Sequence, residues 1–141
     1  MIRLIRKNQR GAAAVEFALL GPVFLATIFG IIEGARFVWT RQALQQAAFI
    51  GARCLGLGTS QGCNSTSVAV SKTVAEARGI GVPVRSSYVT ATASAASGVC
   101  PSAPSAMSTV RIAMPYRSAV AGFLPYRFSQ ITVTACYPKL T

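Results

Sequence analysis

A long apolar run near the N-terminus limits the folds open to this chain more than any other feature. Residues 12–32 read AAAVEFALLGPVFLATIFGII and hold one ionisable side chain, Glu16. A helix of about 20 such residues crosses the hydrocarbon core of a bilayer, whereas the apolar core of a secretory signal covers only about 7–15 residues. The run therefore predicts a single membrane-spanning helix over about residues 12–34.

The charges on either side of this run predict its orientation. Residues 1–11, MIRLIRKNQRG, contain basic side chains and no acidic one. Basic segments next to a spanning helix stay on the cytoplasmic side. We therefore expect a cytoplasmic N-terminus, a helix in the inner (cytoplasmic) membrane, and a C-terminal domain in the periplasm or outside the cell.

The overall composition argues against several other functions. The net charge is +11, from 14 basic and 3 acidic side chains, but the charges beyond the N-terminal cluster are scattered and form no basic stripe with interleaved aromatics. No specific nucleic acid is therefore predicted as a partner. The chain has no histidine and few carboxylates, and no S-x-x-K motif, so we predict neither an enzyme, nor a cofactor, nor a metal site.

Glu16 is the exception within the apolar run, because a carboxylate in a spanning helix costs about 2.5–3.5 kcal/mol on insertion scales. One interpretation places Glu16 at the membrane surface, where its side chain reaches water. The other gives it a cationic partner, namely an amino group released if the chain is cut after Gly11. A buried carboxylate and a buried amine compensate each other, whereas either alone is unfavourable.

The residues around Glu16 resemble a known family. Residues 10–19 read RGAAAVEFAL, Pro22 follows, and Gly51-Ala52-Arg53 comes near the end of the long helical pattern. This stretch, about residues 6–55, is similar to the TadE/TadG-like minor pseudopilins of the tight-adherence (Flp, type IVb) pilus system. The resemblance implies that prepilin peptidase removes residues 1–11 by cutting between Gly11 and Ala12. Glu16, followed by Phe17, then forms the processing and assembly motif.

The same resemblance implies a function and partners. A minor pilin-like subunit would be needed for assembly of a tight-adherence pilus and for surface adhesion. Its partners would be prepilin peptidase, other pilins or pseudopilins and the inner-membrane assembly platform, and the resemblance allows the subunit to enter the pilus itself. The alternative is a membrane-anchored periplasmic binding or scaffold module outside any fibre, in which Glu16 is incidental.

Three further residues of the apolar run have two interpretations each. Pro22 removes a backbone hydrogen bond and kinks a helix, which is either tolerated in the membrane or a flexible point for packing in a fibre. Gly30 and Gly34 form a small-xxx-small pair that lets two helices approach closely. Such pairs also occur by chance in apolar segments.

The helical pattern continues beyond the membrane segment to about residue 55. Glu33 and Arg36 are spaced to form an ion pair on one helix face. Trp39 is either an anchor at the membrane interface or a core residue. Apolar and polar residues then separate onto two faces, which predicts an amphipathic helix that packs on a small domain. Its apolar face comprises Trp39, Ala43, Leu44, Ala47, Ala48, Ile50 and Cys54.

Residues 56–141 predict this small domain. Helical spacing over residues 66–78 aligns Val70, Val74 and Ala77, with Gly79 as the stop. Apolar alternation around residues 89–93, 108–116 and 130–137 predicts strands. The expected fold is α+β and pilin-like: a long N-terminal helix of residues 12–55, a second helix, and a mostly antiparallel sheet of about three to four strands.

The four cysteines all follow the membrane segment, and their spacing matches no zinc motif. A small exported domain gains about 2–4 kcal/mol from each disulfide. Three pairings are possible. We prefer Cys54–Cys63, which closes a short glycine-rich loop, together with Cys100–Cys136, which ties a loop to the last strand.

Overall fold

The computed structural model describes residues 9–58, 62–95, 100, 107–118 and 129–139. The chain divides into two compact units, residues 1–36 and residues 37–141. We call them the N-terminal unit and the C-terminal unit. Helix α1, Gln9–Leu57, contributes residues to both.

In the N-terminal unit, most side chains of α1 are apolar and nevertheless exposed. The segment Ala13–Leu57 is, by length and composition, able to cross a membrane, as predicted. Residues 13–32 are exposed except for Gly21, which is half-buried. The helix begins at Gln9, a few residues before the predicted start, and continues through Pro22. The long exposed apolar surface is consistent with membrane anchoring.

The C-terminal unit contains the rest of α1 and all the remaining elements. Helix α2 spans Thr66–Gly79, and a short 3-10 turn at Ser86–Tyr88 leads into the sheet. Strands β1 (Val89–Ala95), β2 (Met107–Pro115) and β3 (Gln130–Pro138) form an antiparallel sheet in the order β1-β2-β3. The predicted α+β fold, with a second helix and a small antiparallel sheet, is thereby confirmed, and the described residues form three strands.

The strands follow the predicted apolar alternation, because successive side chains of a strand point to opposite faces. In β3, Ile131, Val133 and Ala135 are buried. In β2, Val110 and Ile112 are buried opposite Ala135 and Val133. Pro115 ends β2, as expected of a residue that cannot donate to the ladder. Strand β1 extends to Ala95, two residues beyond the predicted alternation, and of residues 96–106 the structure describes only Cys100.

The amphipathic part of α1 covers the sheet with small side chains. Its buried residues repeat with helical spacing, whereas Arg41, Gln42, Gln45 and Gln46 are exposed as predicted. Because most of the buried residues of this helix are alanine or glycine, its backbone lies close to its neighbours. The buried core consists of Ala43, Leu44, Ala47, Ala48, Ala52, Leu55, Ala69, Ala77, Val82, Val84, Val89, Val110, Ile112, Ile131, Val133 and Ala135.

Helix α2 begins and ends as the sequence suggested, but its buried face is different. The Ser65 hydroxyl accepts a hydrogen bond from the Val68 amide at the N-terminus, and the helix ends at Gly79. The fully buried residues are Ala69, Thr73 and Ala77, whereas Val70 and Val74, which the spacing aligned with Ala77, are half-buried and pack against the core.

This shift of the α2 face has a physical reason. The small residues let α2 approach α1 closely. The Thr73 hydroxyl has a hydrogen-bond partner within α2, because it donates to the Ala69 carbonyl at 2.8 Å. A threonine with its hydroxyl bonded inside its own helix can be buried without another polar partner. The alignment of Val70, Val74 and Ala77 therefore located one fully buried residue, Ala77, and two residues that pack at the margin of the core, but not Ala69 or Thr73.

Candidate functional site

Glu16 lies on the exposed apolar surface of α1. Its neighbours along the helix, Val15 and Phe17, are 61% and 78% exposed. Within the part of the chain that the structure describes, Glu16 has no ion-pair partner. A carboxylate among lipid-facing apolar side chains needs a cation or water to offset its desolvation. This carboxylate therefore depends on something other than the described side chains of its own chain.

The predicted cleavage bond lies in the first turns of α1. Gly11 and Ala12 are both helical, and Gly11 is exposed. A Cβ added at Gly11 would meet no atom within 4 Å, and Gly11 is not among the glycines with positive φ. Neither packing nor backbone conformation therefore requires glycine at this position. Helix ends also fray readily, which leaves this backbone accessible.

The other predicted positions of the N-terminal unit lie on the same helix. Gly30 and Gly34 are exposed, and a Cβ at either would contact no atom within 4 Å, so no packing within the described residues requires them to be glycine. Pro22 lies inside the helix. Shortly after Pro22, the Thr27 hydroxyl donates to the Val23 carbonyl at 2.9 Å. This bond gives the hydroxyl a partner in an apolar setting.

The predicted ion pair at the end of the N-terminal unit is present. Arg36 Nη1 lies 3.5 Å from Glu33 Oε2, and the Glu33 side chain is only 8% exposed. A neighbouring guanidinium offsets part of the cost of burying a carboxylate. Trp39 is 53% exposed, which disfavours the interpretation of Trp39 as a core residue and leaves that of an interfacial anchor.

Two glycines at the end of α1 have a packing role that sequence reasoning missed. A Cβ at Gly51 would collide with the Thr73 hydroxyl and lie 3.3 Å from Val110 Cγ2. A Cβ at Gly56 would collide with the Tyr137 ring and lie 2.7 Å from the Pro138 carbonyl oxygen. In the sequence, the motif Gly51-Ala52-Arg53 drew attention to Gly51 but did not predict which residues it packs against. Nothing in the sequence analysis pointed to Gly56.

The cysteines are joined in two pairs within the C-terminal unit. Cys54, in the last turns of α1, is bonded to Cys63, which precedes α2, with Cα atoms 5.5 Å apart. Cys100 is bonded to Cys136 of β3, with Cα atoms 6.2 Å apart. Both separations lie within the usual range of disulfides, about 4.4–6.8 Å. These are the two pairings that the sequence analysis preferred.

Comparison with known proteins bears on α1. A family model described as TadE-like protein matches residues 11–53. The match begins at the glycine of the predicted cleavage bond and ends at Arg53, so it includes both motifs that carried the resemblance. No curated protein and no solved structure matches the chain. The TadE-like match leaves α2 and the sheet outside it. Over its long N-terminal helix, this chain is therefore similar to TadE-like proteins.

Proposed function

We propose that this chain is a minor pilin-like subunit, a pseudopilin, needed to assemble a tight-adherence pilus and thereby for surface adhesion. The observation that carries the proposal is Glu16, a carboxylate exposed on an apolar helix and without a partner in the described part of its own chain. It follows a basic leader and Gly11, a glycine that the fold does not need.

Cleavage after Gly11 by prepilin peptidase would supply the missing cation. The mature chain would begin at Ala12 with a free ammonium group, one helical turn before Glu16. Residues four apart on a helix lie on the same face with Cβ atoms about 5–6 Å apart. The ammonium of the same chain, or that of a neighbouring subunit, would therefore lie within reach of the carboxylate and neutralise it in an apolar bundle.

The rest of α1 suits a helix that leaves the bilayer for a fibre. Its exposed apolar residues would contact lipid before assembly and other pilin helices afterwards. The exposed Gly30 and Gly34 would permit a close approach between helices, and Pro22 would ease bending. The partners would be prepilin peptidase, other pilins or pseudopilins and the inner-membrane assembly platform. The C-terminal unit would lie in the periplasm or outside the cell.

The experiment compares variants of the tagged full chain in its native host. We expect the wild-type protein to begin at Ala12 by intact mass and to co-purify with other pilins. Gly11→Leu should be inserted but keep the leader, because the bulky side chain blocks the cut. Glu16→Ala should be cut and inserted, yet lose co-purification with other pilins.

Val15→Ala is the matched control, because it truncates the neighbouring exposed side chain and leaves the carboxylate. It should behave as wild type. A wild-type protein that still begins at Met1 in cells with an active prepilin peptidase would contradict processing. If Glu16→Ala co-purifies with pilins as wild type does, the carboxylate is incidental and the alternative, a membrane-anchored scaffold module, gains support.

A further inference from the structure

A groove of about 1020 Å³ opens on the C-terminal unit between α2 and the beginning of β1. One wall is formed by α2, with Val70 and Val74, which are half-buried and also pack against the core, and with the exposed Arg78. The other wall is the segment that leads into β1, with Arg85, followed by the first residues of the strand. The half-buried valines of α2, which the sequence pattern aligned with Ala77, thus line this groove.

The groove runs along the edge of the sheet. Val89 is buried and Thr90 is exposed, because consecutive residues of β1 point to opposite faces. Both line the groove, so it follows the strand's edge and does not cover a single face. In the sheet of the described residues, β1 pairs only with β2. Among the described residues, the side of β1 away from β2 has no strand partner, and the groove lies beside the start of this strand.

The opposite edge of the sheet is used differently. There, β3 lies beside α1, and the Gln45 side-chain amide donates to the Thr134 carbonyl at 3.0 Å. Phe49 of α1 also contacts Tyr137 of β3, with ring centroids 6.0 Å apart. Side chains of α1 thus occupy the β3 edge. An edge strand with exposed backbone groups is a template for pairing with another strand, and β1 is the edge that offers it.

The positive charges that line the groove indicate which kind of partner would bind there. Arg78 and Arg85 are exposed and line it, near the turn between α2 and the strand. From Phe37 to the end, the sequence has nine basic side chains and one acidic one, so 9 − 1 gives +8. A second copy of this chain would bring further positive charge and, within that unit, only Glu76 as a carboxylate. The complementary partner is therefore a different, acidic polypeptide.

We propose that the β1 edge binds an extended acidic segment of another protein as an additional strand. Backbone hydrogen bonds to β1 would supply affinity, as in other cases of strand addition. Val70 and Val74 would contact alternate apolar side chains of the segment, and Arg78 and Arg85 would pair with its carboxylates. The proposal does not depend on cleavage at Gly11, so the uncut full chain tests it and its failure leaves the proposed function standing.

The test uses the full chain in lipid nanodiscs and three blocked, fluorescent octapeptides, in which valine alternates with glutamate, glutamine or lysine. We expect the glutamate peptide to bind most tightly by fluorescence anisotropy. It should also slow hydrogen exchange in the peptic fragment that covers β1. Arg78→Gln with Arg85→Gln should weaken its binding about tenfold, the effect of losing two exposed ion pairs.

Arg41→Gln with Arg53→Gln is the matched control, since it removes the same charge from exposed positions of α1 outside the groove. It should bind the glutamate peptide nearly as wild type. Equal weakening in both double variants would overturn the proposal in favour of general charge attraction, and equal binding of the three peptides would overturn the selection for acidic segments. Full protection of β1 before any peptide is added would show an edge already covered.

A lipid surface is the competing partner for a basic domain. Vesicles of phosphatidylglycerol, added in place of the peptides, should bind the two double variants alike, because the groove is shaped for a chain. If vesicle binding alone depends on Arg78 and Arg85, and no peptide protects β1, the groove recognises headgroups and the proposal fails.

Discussion

At Gly51, helix α1 comes so close to α2 and the sheet that a methyl group has no room. The added carbon would collide with the Thr73 hydroxyl and approach Val110. Thr73 is fully buried and its hydroxyl is bonded to Ala69 of the same helix, so the side chain cannot turn away without losing that bond. Both neighbours belong to the buried interior, where little adjustment is possible.

Gly51→Ala should therefore destabilise the C-terminal unit by about 1–3 kcal/mol, the usual effect of overpacking a dense core. Thermal unfolding of the full chain in detergent, followed by fluorescence of the single tryptophan, measures it. Gly79→Ala is the control, because a Cβ there would meet no atom within 4 Å, and it should stay within about 0.5 kcal/mol of wild type. Equal stability of the two variants would refute the close contact.

At the scale of elements, the C-terminal unit joins two helices and a sheet through a core of small side chains. Its largest fully buried apolar residues are Leu44, Ile112, Ile131 and Val110. Small side chains bury little apolar area, and each square ångström contributes only about 25 cal/mol. The two disulfides lie at the margins of this core, where they join α1 to the start of α2 and Cys100 to β3.

Both disulfides should matter, and by different amounts. The loop-entropy relation gives about 3 kcal/mol for Cys54–Cys63, with a sequence separation of 9. It gives about 4 kcal/mol for Cys100–Cys136, with a separation of 36. We expect Cys100→Ala with Cys136→Ala to lower the unfolding free energy more than Cys54→Ala with Cys63→Ala, in denaturant titrations of the full chain.

Peptide mapping without reductant, on protein from the membrane fraction, checks the bridges themselves. Four free thiols would contradict either the export of the C-terminal unit or its disulfide-bonded fold. A bridge between Cys54 and Cys136 would keep the export but replace both pairings. The reverse order of the two stability losses would show that strain or residual structure, and not loop length, dominates.

At the scale of the whole molecule, the distribution of charge predicts how the chain enters the membrane. Residues 1–11 carry four basic side chains. On the other side of the apolar run, Arg36 and Arg41 are the nearest cations. Orientation follows the excess of lysine and arginine close to the spanning segment, so the four cations of the leader outweigh these two nearest cations of the opposite flank by 4 − 2 charges.

Replacing Arg3, Arg6 and Lys7 with glutamine should reverse this balance, because one basic side chain then precedes the spanning segment and two follow it closely. We expect part of the population to insert with the C-terminal unit in the cytoplasm. Protease added to intact spheroplasts should then digest a C-terminal tag completely in wild type and only in part in the variant. Replacing Lys72, Arg85 and Arg111 instead provides the control, since these lie far from the spanning segment. Complete digestion in both variants would show that the leader charges do not set orientation.

The sequence by itself was sufficient for features that depend on neighbouring residues. The apolar run, the long helix, the TadE-like motif around Glu16 and the alternation of the strands all follow from local composition and periodicity. The fold class followed in turn, because a long helix, a second helix and alternating segments allow few arrangements. The Glu33–Arg36 pair was predictable for the same reason, as it depends only on helical spacing.

Only the tertiary structure decided which residues from distant parts of the chain meet. It selected Ala69, Thr73 and Ala77 for the buried face of α2, although the valines seemed the better core residues. The reason is that close approach of helices requires small side chains. Gly51 and Thr73 lie on different helices, so the helical periodicity of either one does not predict their contact. The same packing places Val70 and Val74 between the core and the groove, and among the described residues it leaves β1 with one strand partner while α1 contacts β3.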